Sequence, residues 1–211
     1  MEHSTGRIYD VNHFIKNDLT EDIRLHNHQD DLETLNTEGN DVVYEMSLCN
    51  RIYLKDAFKA DKVNSILEIG VCKPFNGTNS SYHVFKEIKS PQCFYFGVDI
   101  LDKSFINDYD NNIHFIKSDS SDLDLIMDYI NDNGINKIDF LMIDGWHSGN
   151  QLLKDWRFTQ FLSEDGIVAL HDTQYHYYPR ALINKLRKDK FSVSSCCHKP
   201  GDWGISFIKA L

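Results

Sequence analysis

The chain has 211 residues, 41% hydrophobic and 26% charged, a balance that excludes a disordered or fibrous protein and suits one globular α/β domain with a short extension. A formal net charge of −10 excludes a general nucleic-acid binder, whose phosphate-neutralising surface has to be basic. No apolar run is long enough to span a bilayer and no leader pattern opens the chain, so no membrane partner and a cytoplasmic location are expected.

The first 40 residues are polar and weakly patterned. His26 and His28, beside Asp30 and Asp31, form a His-x-His pair that could take a metal, but no partner follows at helix or strand spacing, which favours a plain surface segment. Residues 41–60 carry Val43, Met46, Leu48, Ile52 and Phe58 near helical spacing, so a helix is predicted there. Residues 1–60 are therefore read as an N-terminal extension and helix that cover a pocket, and residues 61–211 as the main domain.

After Val63, short β-rich runs alternate with helical stretches. Strands are predicted at 65–71, 93–100, 113–119, 137–144 and 167–172. Helices are predicted at 81–89, at 123–134 closed by Gly134, at 150–166 closed by Gly166, and at 179–189 opened by Pro179. Two last strands, around the turn signal "KPGD", are expected to pair as an antiparallel hairpin at the sheet edge. The inner strands are almost continuously apolar, as expected when helices cover both faces of a parallel sheet. The predicted fold is α/β: a Rossmann-like, doubly wound, mostly parallel seven-stranded sheet.

Two clusters receive bland readings. The run Arg180, Lys185, Arg187, Lys188 and Lys190 reads as a solvated helix face. The five cysteines, Cys49, Cys72, Cys93, Cys196 and Cys197, are odd in number and lack CxxC spacing. They read as reduced thiols, with Cys196 and Cys197 as strand residues.

One regularity bears on function. The first five strands end in Gly70, Asp99, Asp119, Asp144 and Asp172. The carboxyl ends of parallel strands line the ligand crevice, so four acids share one rim. Such a rim needs a positive partner or many hydroxyl donors. The glycines at 70 and 77 match neither GxGxxG nor a P-loop, which disfavours an NAD-type oxidoreductase and phosphate clamping. Asp99, at the end of the second strand, suits both hydroxyls of a ribose.

The ordered segments "LEIG", "GVDI", "SDSSD", "DFLMIDGWHS" and "GIVALHDT", with the terminal hairpin, resemble the motifs of class I S-adenosylmethionine-dependent methyltransferases. The resemblance covers about residues 60–211. The last two segments are similar to small-molecule O-methyltransferases of the metal-dependent catechol and macrolide-sugar types. It implies S-adenosylmethionine as cofactor, bound by Glu68, Gly70, Gly77, Asp99, Asp119, Ser120 and Asp144. It also implies a divalent cation, Mg²⁺ foremost, on Asp144 and Asp172.

His147 falls where catechol-type enzymes carry a lysine base. His171 is left open as ligand, second base or positioning donor, so the catalytic set is His147, Asp144 and His171. Three departures stand out: Pro74 lengthens the first-motif loop, Thr173 replaces an Asn ligand, and histidine replaces lysine. The implied reaction is O-methylation of a small-molecule or glycan hydroxyl. A metal-free variant using a histidine base is the alternative within the family. Trp146, Trp203 and the aromatic run at 173–180 are read as pocket wall or loop anchor, and a homo-oligomer is left open.

Overall fold

The computed structural model describes residues 11–25, 46–71 and 79–211. Seven strands make one sheet: β1 (Ser65–Ile69), β2 (Phe94–Asp99), β3 (Ile113–Lys117), β4 (Ile138–Ile143), β5 (Leu162–His171), β6 (Phe191–Cys196) and β7 (Ile205–Ala210). Their spatial order is β3-β2-β1-β4-β5-β7-β6. β1 to β5 are parallel, β7 runs antiparallel to β5, and β6 closes the edge antiparallel to β7. This is the doubly wound sheet with a terminal hairpin that the strand pattern predicts.

The inner strands β1, β2 and β4 are mostly apolar because both faces are covered, whereas the edge strand β6 is largely exposed and rich in serine. Helices α2 (Leu48–Ala57) and α3 (Ser81–Ile88) cover one face; α1 (Val11–Asp18), α4 (Leu123–Asp132), α5 (Gly149–Trp156) and α6 (Tyr177–Lys185) cover the other. Alternate residues of each strand feed alternate cores, as a period of two demands. Leu67, Ile69, Leu141 and Ile143 join Trp156, Ile126 and Leu182. Ile66, Phe140 and Met142 join Leu54 and Phe85.

Residues 11–25 belong to the first of these cores. Leu19 and Ile23 are buried in it, and the Trp156 indole N–H donates to Asp18 Oδ2 at 3.0 Å. The basic run pairs with acids, Lys185 with Glu21 and Arg187 with Asp189, which fits a solvated face. No described helix is long and apolar enough to cross a membrane.

Four expectations are corrected. The helix predicted over 41–60 begins at Leu48, because Ser47 caps it by accepting the Asn50 N–H. Its buried stripe runs through Met46, Asn50, Leu54 and Phe58, so Leu48 and Ile52 face out. Val43 lies outside the described residues, as do His26, His28, Asp30, Asp31, Cys72, Pro74 and Gly77.

The helix predicted over 150–166 stops at Trp156, because after a 3-10 turn Leu162 enters β5 and pairs with Ile138. Gly166 therefore sits inside a strand. Helix α6 opens two residues before Pro179, which occupies its first turn, where a missing N–H costs nothing.

The fourth correction concerns the cysteines. Cys49, in the first turn of α2, is disulfide-bonded to Cys197, just past β6, with Cα atoms 6.0 Å apart. The partners are separated by 148 residues, so their spacing carried no signal. Disulfides are rare where thiols are kept reduced, so this pair removes the support the cysteine count lent to a cytoplasmic location. A cross-link of this span constrains the unfolded chain, and Cys49→Ser is expected to cost about 2–4 kcal/mol of unfolding free energy. Urea denaturation without reductant reads that loss, and adding dithiothreitol to the wild type should reproduce it.

Candidate active site

The parallel strands deliver Gly70, Asp99, Asp119, Asp144 and Asp172 to one edge, as the topology requires. β1 and β4 leave the sheet side by side. Asp144 N–H donates to the Ile69 carbonyl at 2.8 Å, and Gly70 turns away with φ +83°. A Cβ at Gly70 would stand 2.1 Å from the Asp144 carbonyl oxygen, so only glycine lets the two strand ends pass this closely.

Asp144 does not cap the next helix. Ser148 does, accepting the Gln151 N–H at 3.2 Å, which leaves the Asp144 carboxylate for the rim. There it meets His171, whose Nδ1 is 3.1 Å from Asp144 Oδ1 and 2.8 Å from Asp172 Oδ1. Asp172 has left-handed backbone, φ 60°, a conformation rare outside glycine, asparagine and aspartate. Its other oxygen, Oδ2, is 2.8 Å from His147 Nε2.

Electrostatics bind the cluster. Burial alone would depress the His171 pKa, but Asp144 and Asp172 outweigh it and hold the imidazole well above its ordinary range. Burial pushes the Asp172 carboxyl up, and the charges of His171 and His147 more than reverse this, keeping it well below the usual carboxylate range. Yet Asp172 Oδ1 and His147 Nε2 are buried atoms with no aligned hydrogen bond among the described residues.

Nitrogen and oxygen donors of Asp144, His171 and Asp172 lie within 4.8 Å of one another, as do those of His147, Asp172 and His176. Ligands about 2.1 Å from a six-coordinate cation stand about 3.0 Å from their neighbours, close to the separations in the first group. That donor set therefore fits a divalent cation. The second group fits less well, because the His147 and His176 rings are stacked in parallel with centroids 3.9 Å apart. Rings stacked face to face do not both aim a nitrogen at one ion. Thr173, where an Asn ligand was expected, has its hydroxyl engaged by His198 and Ser206.

The remaining predicted residues are not gathered into this cluster. Asp99 Oδ1 accepts the Leu101 N–H, and the exposed Asp119 accepts the Ser121 N–H. The Ser120 hydroxyl donates to Asp155, itself fully buried, with its carboxyl pushed up to about 7 by that burial. Glu68 is fully buried on the α3 face of β1, and Ser81 and Tyr95 hydroxyls donate to its two oxygens. Its carboxylate ties α3 and β2 to the strand that carries Gly70.

Sequence reasoning missed Asn50 and His176. Asn50 lies in α2, fully buried, and its Nδ2 is 2.9 Å from His171 Nε2. A signal existed: Asn50 stands four residues from both Met46 and Leu54, a polar residue in an otherwise apolar stripe. His176 stacks between His147 and Trp203, and Tyr175 packs on that indole, so part of the aromatic run borders the site. Tyr178 is instead core.

No family model matches the sequence, and no curated protein matches it. Solved structures do share the fold. An O-methyltransferase from Bacillus cereus in complex with SAH matches with TM-score 0.56 at 15% identity, over 95% of this chain and 97% of that one. MycE methyltransferase of the mycinamycin biosynthetic pathway, in complex with Mg and SAH, matches with TM-score 0.53 at 17% identity, over 76% of this chain and 47% of that one. This chain thus spans about half of MycE's length. A putative rRNA-methylase from Clostridium thermocellum matches with TM-score 0.53 at 15% identity, over 76% of this chain and 95% of that one. The shared architecture is the fold of class I S-adenosylmethionine-dependent methyltransferases.

Two variants test the framework of this rim. Gly70→Ala is expected to destabilise by more than about 3 kcal/mol, since it combines a backbone clash with a disfavoured φ; thermal unfolding measures it. Glu68 is raised to about 8 by burial, against the opposing hydroxyl hydrogen bonds and reinforced by Asp144 and Asp99. Between the ordinary glutamate value of 4.5 and about 8 the folded state therefore holds a proton that the unfolded state has released. Stability contributed by this group falls as pH rises through that window. Glu68→Gln, which mimics the protonated carboxyl, is expected to gain stability relative to wild type from pH 5 to 8, read by denaturant midpoints across that range.

Proposed function

We propose that the protein is an S-adenosylmethionine-dependent methyltransferase that methylates a hydroxyl of a small molecule or glycan, with a divalent cation on Asp144, His171 and Asp172. The observation that carries this reading is the convergence of His171 Nδ1 with Asp144 and Asp172 oxygens at 2.8–3.1 Å, with His147 2.8 Å from the same Asp172, at the crevice end of β4 and β5. The fold shared with SAH-bound methyltransferases supports the cofactor.

The chain's own residues divide the work. Gly70, with its positive φ, turns the chain at the end of β1 beside the place the cofactor's methionine part would take, and Asp99 offers a carboxylate to the ribose hydroxyls. Asp119 and Ser120 border the adenine in this reading, with Ser120 anchored by Asp155. Glu68 acts at one remove by fixing β1, β2 and α3. The extension contributes α2 as a wall, which brings Asn50 to the rim.

Methyl transfer forms a bond from the substrate oxygen to the methyl carbon and breaks that carbon's bond to sulfur, and the hydroxyl proton must leave. In this reading His147 takes it on the ring nitrogen that faces away from Asp172, while the Asp172 carboxylate at Nε2 stabilises the resulting imidazolium. When bound, the cation supplies Lewis acidity that lowers the pKa of the substrate hydroxyl. Two carboxylates and one imidazole suit Mg²⁺ or Mn²⁺. The pairing of the basic helix face with acids and the net charge of −10 favour a small acceptor over RNA.

A metal-free reading also has an observation behind it, because a protonated His171 would itself offset the repulsion between Asp144 and Asp172. A chelator separates the two. EDTA is expected to abolish turnover of hydroxylated acceptors, with Mg²⁺ or Mn²⁺ restoring it; full turnover in EDTA would remove the cation and leave methyl transfer standing. His147→Ala is expected to lower kcat by about 10²–10⁴-fold while calorimetric binding of S-adenosylhomocysteine is unchanged. Binding of a nicotinamide dinucleotide and none of S-adenosylhomocysteine would overturn the class of reaction.

A further inference from the structure

We infer that Asn50 is a positioning residue that selects which nitrogen of His171 faces the cation; this rests on the metal-assisted reading above. Asn50 reaches the rim from α2, 121 residues away in sequence, and is fully buried against a nearly buried His171. In the structure Asn50 Nδ2 is the atom at His171 Nε2, 2.9 Å away, while Asn50 Oδ1 is buried with no hydrogen-bond partner among the described residues. Which amide atom serves follows the ring's hydrogens: Nδ2 would donate to a bare Nε2, whereas Oδ1 would accept an Nε2–H, as in an imidazolium whose Nδ1–H also faces the Asp144 and Asp172 carboxylates. With Nδ2 at Nε2 one amide oxygen is stranded, which costs free energy in a buried place.

Turning the amide over about its Cβ–Cγ bond exchanges the two atoms. Oδ1 then accepts an Nε2–H, and the Nδ1 lone pair points between the carboxylates. A ligating histidine needs that form, with its far nitrogen donating to a fixed acceptor. A carboxamide is the side chain that serves both arrangements, because it carries a donor and an acceptor at one radius. A purely apolar residue, which the Met46–Leu54–Phe58 stripe would otherwise favour, serves neither. α2 is held in place by the Cys49–Cys197 disulfide and by the Ser47 hydroxyl donating to Asp202, so the residue next to Cys49 is fixed relative to the rim.

The test is calorimetric titration of Mn²⁺ into metal-stripped full-length protein, as wild type, Asn50→Leu and Asn50→Asp, with thermal unfolding of each. Asn50→Leu, near in volume, is expected to weaken Mn²⁺ binding by about 10–100-fold, the usual effect of losing a partner behind a ligating histidine. Asn50→Asp, a permanent acceptor, is expected to bind Mn²⁺ at least as tightly as wild type while melting lower than Asn50→Leu, since a buried extra charge is costly. A packing role alone would order the two variants the same way in both measurements.

Nitrogen-15 shifts of His171 in the wild type provide a readout that does not depend on a variant folding. Without metal a hydrogen is expected on Nδ1, and with Mg²⁺ the ring is expected to keep a hydrogen on Nε2 alone. Mn²⁺ affinity of Asn50→Leu within twofold of wild type, or His171 shifts unmoved by Mg²⁺, would overturn the role of Asn50 and leave the cation site standing. Failure of wild type to bind either ion would overturn both.

Discussion

Two carboxylates at the ends of neighbouring parallel strands repel each other, and the fold brings Asp144 and Asp172 together regardless. What reconciles them is the imidazole of His171, within 3.1 Å of both. Coulomb repulsion between unit charges this close is several kcal/mol at an effective dielectric of about 20, a large share of what a domain has to spare. The rest of the rim is arranged around that compensation. His147 takes the other oxygen of Asp172, Asn50 takes the far nitrogen of His171, and Gly70 clears the backbone path of Asp144. The His171 imidazole thus offsets part of the charge of the two carboxylates before any ligand arrives, and the negative charge that is left suits the site to a cation in exchange for a proton.

The sheet was legible because its strands obey one constraint. A strand covered on both faces is apolar at most positions, so runs such as 137–144 announce themselves and their final acids mark the crevice. The hairpin was legible from its turn. Helix ends were less so, because a run of helical spacing does not show where a strand ladder takes over; Leu162 pairs with Ile138 although its local pattern continues the helix. The disulfide was invisible, since its two cysteines stand 148 positions apart and meet only through the fold.

The candidate site divides along the same line. Asp144, His171 and Asp172 sit at strand ends, where topology alone brings them together, and His147 follows in the short loop between β4 and α5. Asn50 and His176 come from a helix and a loop whose placement is decided by packing. Glu68 lies on a strand, where its position was readable, but the face it presents follows from the sheet's alternation: the residues on either side, Leu67 and Ile69, fill one core, so Glu68 must look toward α3 and its hydroxyls. The period of two predicts that face, whereas motif position alone suggests a ligand contact.

The left-handed backbone at Asp172 narrows the set of residues that can follow one another at this position. Most side chains introduced there would distort the loop as well as remove the carboxylate, so their effects would mix geometry with chemistry. Asparagine keeps the shape and the tolerance for positive φ, and glycine keeps the backbone alone. Comparing these two replacements separates the contribution of the charge from that of the turn, and the same restriction leaves natural drift at this position very few neutral exits.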